Sequence, residues 1–243
     1  MKAMILCAGL GTRLKPWTDS HPKALVPVAG VPMLKRVAQL LISEGFDEIT
    51  VNVHHFAGQI REYIRQENIL SGISVSDETE MLLDTGGGIL HAQNLLGSDG
   101  RPFLVHNVDI LSNADLSSLM DEHVKSGADV TLLVSDRISD RKLVFDASMT
   151  LKGWVNQKTG QMRPTALRIE DSDLLLSFSG IYVMDPHVFE VMKDNGFADS
   201  FPIMDFFLSD IPGLRIRGVD HRGLELIDIG KPDTLHRANL MIQ

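Results

Sequence analysis

One cysteine, Cys7, in 243 residues leaves no partner for an internal disulfide. Long apolar runs are also missing. None approaches the ~20 residues a membrane-spanning helix needs. The opening A-M-I-L-C-A, after a single lysine, is too short for a signal-peptide core, so a cytoplasmic protein is expected. Positive charge is scarce: 23 Lys and Arg stand against 32 Asp and Glu, for a net charge of -9. That balance excludes the broad basic face that displaces counterions from nucleic acid. A nucleotide is not excluded, because a few local cations suffice for it. Repeats of 20–50 residues and low-complexity tracts are absent too, which removes solenoids and arrays. What remains is 44% hydrophobic and 23% charged, ordinary values for a chain with a normal core.

Against this acidic background the stretch L-C-A-G-L-G-T-R-L-K-P-W-T-D-S-H-P-K (6–23) stands apart. Residues 1–23 hold Lys2, Arg13, Lys15 and Lys23 against Asp19 alone. A local basic loop on an acidic protein points to a small anionic ligand. Gly9 and Gly11 follow an apolar strand directly, so the backbone can come close to a ligand and turn free N–H groups toward phosphate oxygens. The pattern is neither G-x-G-x-x-G, since Leu14 occupies the third glycine position, nor a Walker loop, since no G-K-[ST] follows. Pro16 and Pro22 fix local φ and stiffen a loop that carries two separated cations.

Short apolar runs alternate with helical spacings through the first 136 residues. Strands are expected at 3–8, 48–53, 73–76, 102–109 and 130–135, and helices at 31–45, 56–65, 88–96 and 116–127. Such alternation implies parallel βαβ units. The expected fold is α/β: a Rossmann-like mixed, mainly parallel sheet with helices on both faces. Beyond 136, long strands are expected at Leu143–Val155 and Leu174–Met184. Shorter ones follow at Arg215–Val219 and Leu224–Ile229, with a closing helix at Thr234–Ile242. Lacking a linker to divide it, the chain reads as a single domain, 1–243.

Two aspartates end apolar strands, Asp109 after F-L-V-H-N-V and Asp228 in L-E-L-I-D-I-G. Strand ends of an α/β sheet are where ligands bind, and a hard divalent cation takes carboxylate oxygens.

G-L-G-T-R-L-K-P-W-T followed by P-K-A-L-V-P-V-A-G-V-P-M resembles the signature of the sugar-1-phosphate nucleotidyltransferase family. The resemblance implies that the loop wraps a nucleoside triphosphate through Ala8, Gly9, Gly11 and Thr12. Arg13 falls on the β/γ-phosphates and Lys23 at the α-phosphate, as the catalytic cations. It implies Mg²⁺ on Asp109 and Asp228, although N-V-D departs from the family's usual G-D. In L-I-D-I-G-K, Leu226 replaces an aromatic and Lys231 a threonine. The glycine-rich L-D-T-G-G-G-I (83–89) is closest to the uridylyltransferases for N-acetylmuramate 1-phosphate. It implies nucleotide contacts from Thr85, Gly86 and Gly87 and sugar contacts from Asp84 and Gly88. Asn107, Ser179 and Gly180 join the sugar side, and the chain divides into a nucleotide-binding half (1–136) and a sugar-binding half (137–243). Asn52 and His55 could line the cleft or act as caps. Arg137, Arg141 and Lys142 could hold the sugar phosphate or form a solvated basic loop. Cys7 reads as a small buried apolar residue and not a nucleophile.

The implied reaction joins UTP to an amino-sugar 1-phosphate such as N-acetylmuramate 1-phosphate, within nucleotide-sugar biosynthesis for the cell wall. Guanylyl or cytidylyl transfer to mannose 1-phosphate, a heptose 1-phosphate or phosphocholine stays open. So does a regulatory module that binds a nucleotide sugar without turnover. The expected partners are small molecules, with neither nucleic acid nor membrane, and a monomer or dimer. Longer relatives add a β-helix for which there is no room here, so a monofunctional enzyme is expected.

Overall fold

The computed structural model describes residues 1–221 and 223–242. In chain order the elements are β1 (Lys2–Leu6), β2 (Pro27–Val28), β3 (Val31–Pro32), α1 (Met33–Ser43), β4 (Glu48–Val53), α2 (Ala57–Gln66) and β5 (Ser74–Asp77). Next come α3 (Asp84–His91), α4 (Gln93–Leu96), β6 (Phe103–Asn107), β7 (Ile110–Ser112), α5 (Leu116–Ser126) and β8 (Val130–Ser135). The later part holds β9 (Arg141–Phe145), β10 (Leu151–Asn156), β11 (Met162–Arg163), β12 (Leu174–Met184), α6 (Val188–Asp194), α7 (Ile203–Phe207), β13 (Ile216–Asp220), β14 (Leu226–Asp228) and α8 (Pro232–Met241).

One ten-stranded mixed sheet runs β11-β10-β9-β12-β6-β1-β4-β5, with β8 and β13 joined beside β12. The block β6-β1-β4-β5 is parallel, and β12 enters antiparallel against β6, so the two halves of the chain share one sheet. β1 sits between β4 and β6 and is buried along its whole length, as a central parallel strand must be. Its side chains alternate between two cores. Ala3 and Ile5 pack with α1, α2 and α5, while Met4 and Leu6 pack with α3, α6 and α7. Helix α1 buries Leu34, Val37, Ala38 and Leu41, at i, i+3, i+4 and i+7, while Ile42 stays exposed.

Two expected elements are corrected. Leu143–Val155 is not one strand but the hairpin β9–β10. The Asp146 carboxylate accepts hydrogen bonds from the N–H groups of Ser148 and Thr150 and turns the chain there. The helix expected at 88–96 starts earlier, at Asp84, and is interrupted at Ala92, which puts the three glycines inside it. Helices α6 and α7 lie in a stretch whose spacing suggested no element.

Candidate active site

The loop after β1 is held from below. The Cys7 N–H donates to Asn52 Oδ1 (2.7 Å), and Asn52 Nδ2 donates to Glu78 Oε1 (2.8 Å). Asn52 and Glu78 are both buried, so this polar brace ties the loop to the ends of β4 and β5 in low-dielectric surroundings. Burial pushes the Glu78 carboxyl above its ordinary range, against the hydrogen bond from Asn52. The Cys7 thiol is pushed far up, first by burial and then by the nearby Asp109 carboxylate. It is neutral and unfit as a nucleophile.

Gly11 has φ 65°, a conformation glycine adopts without strain. A Cβ there would lie 2.9 Å from both Lys23 Cβ and Thr18 Cγ2. Thr18 Oγ1 donates to the Gly11 carbonyl (2.9 Å), closing the loop over that contact. The glycine therefore lets Lys23 tuck beneath the loop. Gly9 has open space around its Cα, where a ligand can approach.

Lys23 Nζ donates to Asp109 Oδ2, and each side chain is only 13% exposed. Strand β7 pairs antiparallel with β14, setting Asp228 opposite Ile110. One step along, the Ile229 N–H donates to the Asp109 carbonyl (2.9 Å). The two acids, far apart in sequence, thus occupy neighbouring positions on paired backbone. Asp228 Oδ1 accepts from the Gly230 N–H (2.7 Å). A Cβ on Gly230 would sit 2.8 Å from Arg13 Nη2, so the guanidinium rests over this glycine beside Asp228. Among the described residues no group of three or more His, Cys, Asp or Glu could hold a metal. Two adjacent carboxylates fit Mg²⁺, which commonly takes one or two and completes its shell with phosphate and water.

Two clefts open from this centre. A narrow one of about 330 Å³ is lined by Ala8, Gly9, Gly11, Thr12, Arg13 and Lys23 on one side. Asn52, Asp84, Thr85 and Gly230 complete it. Asp84 holds φ 57°, a strained conformation for a residue with a Cβ, and its carboxylate accepts from the Thr85 N–H (2.6 Å). Gly86, Gly87 and Gly88 do not face this cleft. The amides of Gly86 and Gly87 donate to the Phe201 carbonyl (2.9 and 3.2 Å). A Cβ on Gly87 would meet Asp199 O at 2.0 Å, and one on Gly88 would meet Glu78 Oε1 at 2.6 Å. These glycines let α3 pack tightly, which replaces the ligand cradle expected of them.

A wider cleft of about 850 Å³ is reached by Arg13 and Asp228 and lined by Arg137, Arg141, Leu143, Trp154, Arg163, Phe178 and Lys231. Arg137 Nη2 donates to the Phe178 carbonyl (2.9 Å). Burial lowers the Arg137 pKa while the Asp228 carboxylate opposes the shift, and the guanidinium stays cationic. Lys142 points the other way and donates to the Arg137 carbonyl (2.7 Å), so the basic cluster Arg137, Arg141 and Lys142 is split. Ser179 is buried and its hydroxyl is engaged with the Ile181 backbone, so it is not the sugar contact expected. Gly180, at φ 80°, leaves room for the Asn107 amide, whose Nδ2 would lie 2.7 Å from a Cβ there. A third cleft of about 670 Å³, lined by Asp77, Glu80, His91 and Lys193, includes none of Arg13, Lys23, Asp109 or Asp228.

Sequence reasoning missed Glu78, Trp154, Arg163 and Gly230. Gly230 was legible only as a turn before α8. Trp154 lies in the stretch expected to be one strand, and Arg163 between the two long expected strands.

A family profile described as "Nucleotidyl transferase" matches residues 2–142. The N-acetylmuramate alpha-1-phosphate uridylyltransferase of Neisseria meningitidis is 31% identical over 99% of this chain and 98% of its own. The protein of the same name from Caulobacter vibrioides is 37% identical, over 55% of this chain and 52% of its own, so that match spans about half of each. Mannose-1-phosphate guanylyltransferases also match, at 33–34% identity over 56% of this chain. Among solved structures, HddC from Yersinia pseudotuberculosis superposes with TM-score 0.79 at 22% identity, covering 100% of this chain and 99% of that one, a likeness of fold. The chain belongs to the nucleotidyl transferase family, among its sugar-1-phosphate nucleotidyltransferases.

Proposed function

We propose that the protein transfers a uridylyl group from UTP to N-acetylmuramate 1-phosphate, giving the nucleotide sugar and pyrophosphate. The observation that supports the transfer reaction is that the paired backbone of β7 and β14 brings Lys23–Asp109 near Arg13–Asp228, with Arg13 lining both clefts. The narrow cleft offers backbone and cations to a triphosphate. The wide cleft offers guanidinium groups to a sugar phosphate.

An oxygen of the sugar 1-phosphate attacks the α-phosphorus, and the bond from that phosphorus to the bridging β-phosphate oxygen breaks. The attacking oxygen is already ionised at neutral pH, so the site needs no general base. Its task is to bring two anions together, and positioning with fixed charge does that. Lys23 offsets charge at the α-phosphoryl group. Arg13 stabilises the leaving pyrophosphate. Asp109 and Asp228 would hold Mg²⁺, which supplies further neutralisation of the triphosphate when bound. Arg137, beside Asp228, receives the phosphate of the sugar.

The uridylyl and amino-sugar assignment is supported by near full-length similarity to a protein named for that activity. Pyrophosphate release from four triphosphates, each paired with N-acetylmuramate, glucose and mannose 1-phosphates, tests it. UTP with N-acetylmuramate 1-phosphate is expected to give the highest kcat/KM. A preference for GTP with mannose 1-phosphate would replace this substrate assignment, and Mg²⁺-dependent binding without pyrophosphate release would replace the transfer reaction.

A further inference from the structure

The outer end of the sheet carries a feature that phosphate binding alone does not require. Leu143 on β9 pairs with Trp154 on β10, and Trp154 pairs with Arg163 on β11, so the three form one row across three strands. Side chains alternate along a strand, which puts Arg141, two residues before Leu143, on the same face. All four line the wide cleft, whereas Lys142, on the opposite face, is engaged with the Arg137 carbonyl. The result is an apolar floor, Leu143 and Trp154, with Arg163 next to Trp154 in the row and Arg141 beside the floor along β9.

These two guanidinium groups differ from the others in the cleft. Arg13 rests beside Asp228, and Arg137 is anchored on the Phe178 carbonyl. Arg163 makes an ion pair with Asp205 (2.8 Å), with both side chains more than two-fifths exposed. Such a solvent-screened pair is worth little, so Arg163 can exchange its partner cheaply. The Arg141 side chain has no hydrogen bond or ion pair among the described residues, although it lines a cleft on an acidic protein. A planar guanidinium matches a carboxylate with two parallel hydrogen bonds. An apolar floor beside the cations suits the carbon skeleton that would carry that carboxylate.

The geometry points to a second anion subsite in the wide cleft, in which Arg141 and Arg163 read a carboxylate on the sugar while Arg137 takes its 1-phosphate. The substrate class is then a hexose 1-phosphate bearing a carboxylate side arm. This rests on the proposed transfer to a sugar phosphate and assigns the residues that select the acceptor.

The test compares N-acetylmuramate 1-phosphate with N-acetylglucosamine 1-phosphate, which lacks only the lactyl ether and its carboxylate. Both are measured on the whole chain, as wild type, Arg141→Gln, Arg163→Gln and Arg141→Lys. KM and kcat come from pyrophosphate release with UTP and Mg²⁺. Kd comes from calorimetry in the presence of a non-reacting UTP analogue. Wild type is expected to favour the carboxylated sugar. Losing one charge-assisted contact should raise its KM and Kd roughly 10-fold in each Gln variant, with kcat within about twofold. The ratio of the two substrates' KM values then collapses toward one. Arg141→Lys, which keeps the charge without the fork, is expected between wild type and Arg141→Gln. Equal affinity of wild type for the two sugars, or equal shifts for both in the Gln variants, overturns the subsite while leaving transfer standing. Discrimination in calorimetry without pyrophosphate release from either sugar would instead overturn transfer and support the subsite.

Discussion

The two clefts that share Arg13 are built from different material. The narrow cleft is largely backbone: a loop shaped by Gly9 and Gly11, braced through Asn52 and Glu78, with Lys23 already paired to Asp109. The wide cleft is largely side chain: four guanidinium groups, an indole and a phenyl ring, drawn from the N-terminal loop, the segment before β9 and strands β9 to β12. In the proposed reaction the triphosphate presents the same phosphate atoms whatever the acceptor, so fixed backbone would suit it. An acceptor sugar varies, and side chains can be exchanged without disturbing the frame. Substitutions in the narrow cleft should therefore change rate, and those in the wide cleft should change which substrate is taken.

The strongest way to break that contrast is at the shared edge. Lys23→Ala or Asp109→Asn should lower kcat by roughly 10²-fold or more, about 3 kcal/mol at the transition state, with melting temperature little changed. Near-normal rates in folded variants would show that the narrow cleft does not set the rate.

A second effect concerns the strand beneath both clefts. His106 on β6 pairs with Ile5 of β1 and Ile181 of β12, and burial pushes its imidazole pKa down to about 4. Its Nε2 has no hydrogen-bond partner. A histidine depressed from its unfolded value contributes stability that is complete above about pH 6.5 and falls as pH drops toward 4. Its share of the loss between pH 7 and 5 is about 2 kcal/mol. Urea unfolding of wild type and His106→Gln at the two pH values should show a flatter dependence in the variant. Parallel curves would remove His106 from that account.

The smallest effect sharpens the backbone argument. Gly11→Ala adds a Cβ at φ 65° against Lys23 and Thr18. It should cost about 1 kcal/mol and lower kcat several-fold, with the sugar-phosphate KM unchanged. A shift in sugar-phosphate KM instead would mean that the two clefts are not independent.

Legibility in the sequence followed the same division. The first-half elements showed because their helices and buried strands obey strong periods, as α1 and β1 do. The shared loop of Arg13 and Lys23 and the strand-end places of Asp109 and Asp228 were legible because those residues lie in ordered motifs. Gly86, Gly87 and Gly88 misled because a glycine that admits a ligand and one that admits a neighbouring helix look alike in sequence. Only the contacts with Phe201, Asp199 and Glu78 separate the two. The floor of the wide cleft was illegible because Leu143, Trp154 and Arg163 become neighbours only through the register of β9, β10 and β11.

The short ladder between β7 and β14 also sets an order of assembly. A chain leaving the ribosome acquires the loop after β1, Lys23 and Asp109 in its first half. Asp228 and the glycine beneath Arg13 arrive more than a hundred residues later. A fragment cut short before β14 would carry Asp109 without Asp228 and without the glycine on which Arg13 rests.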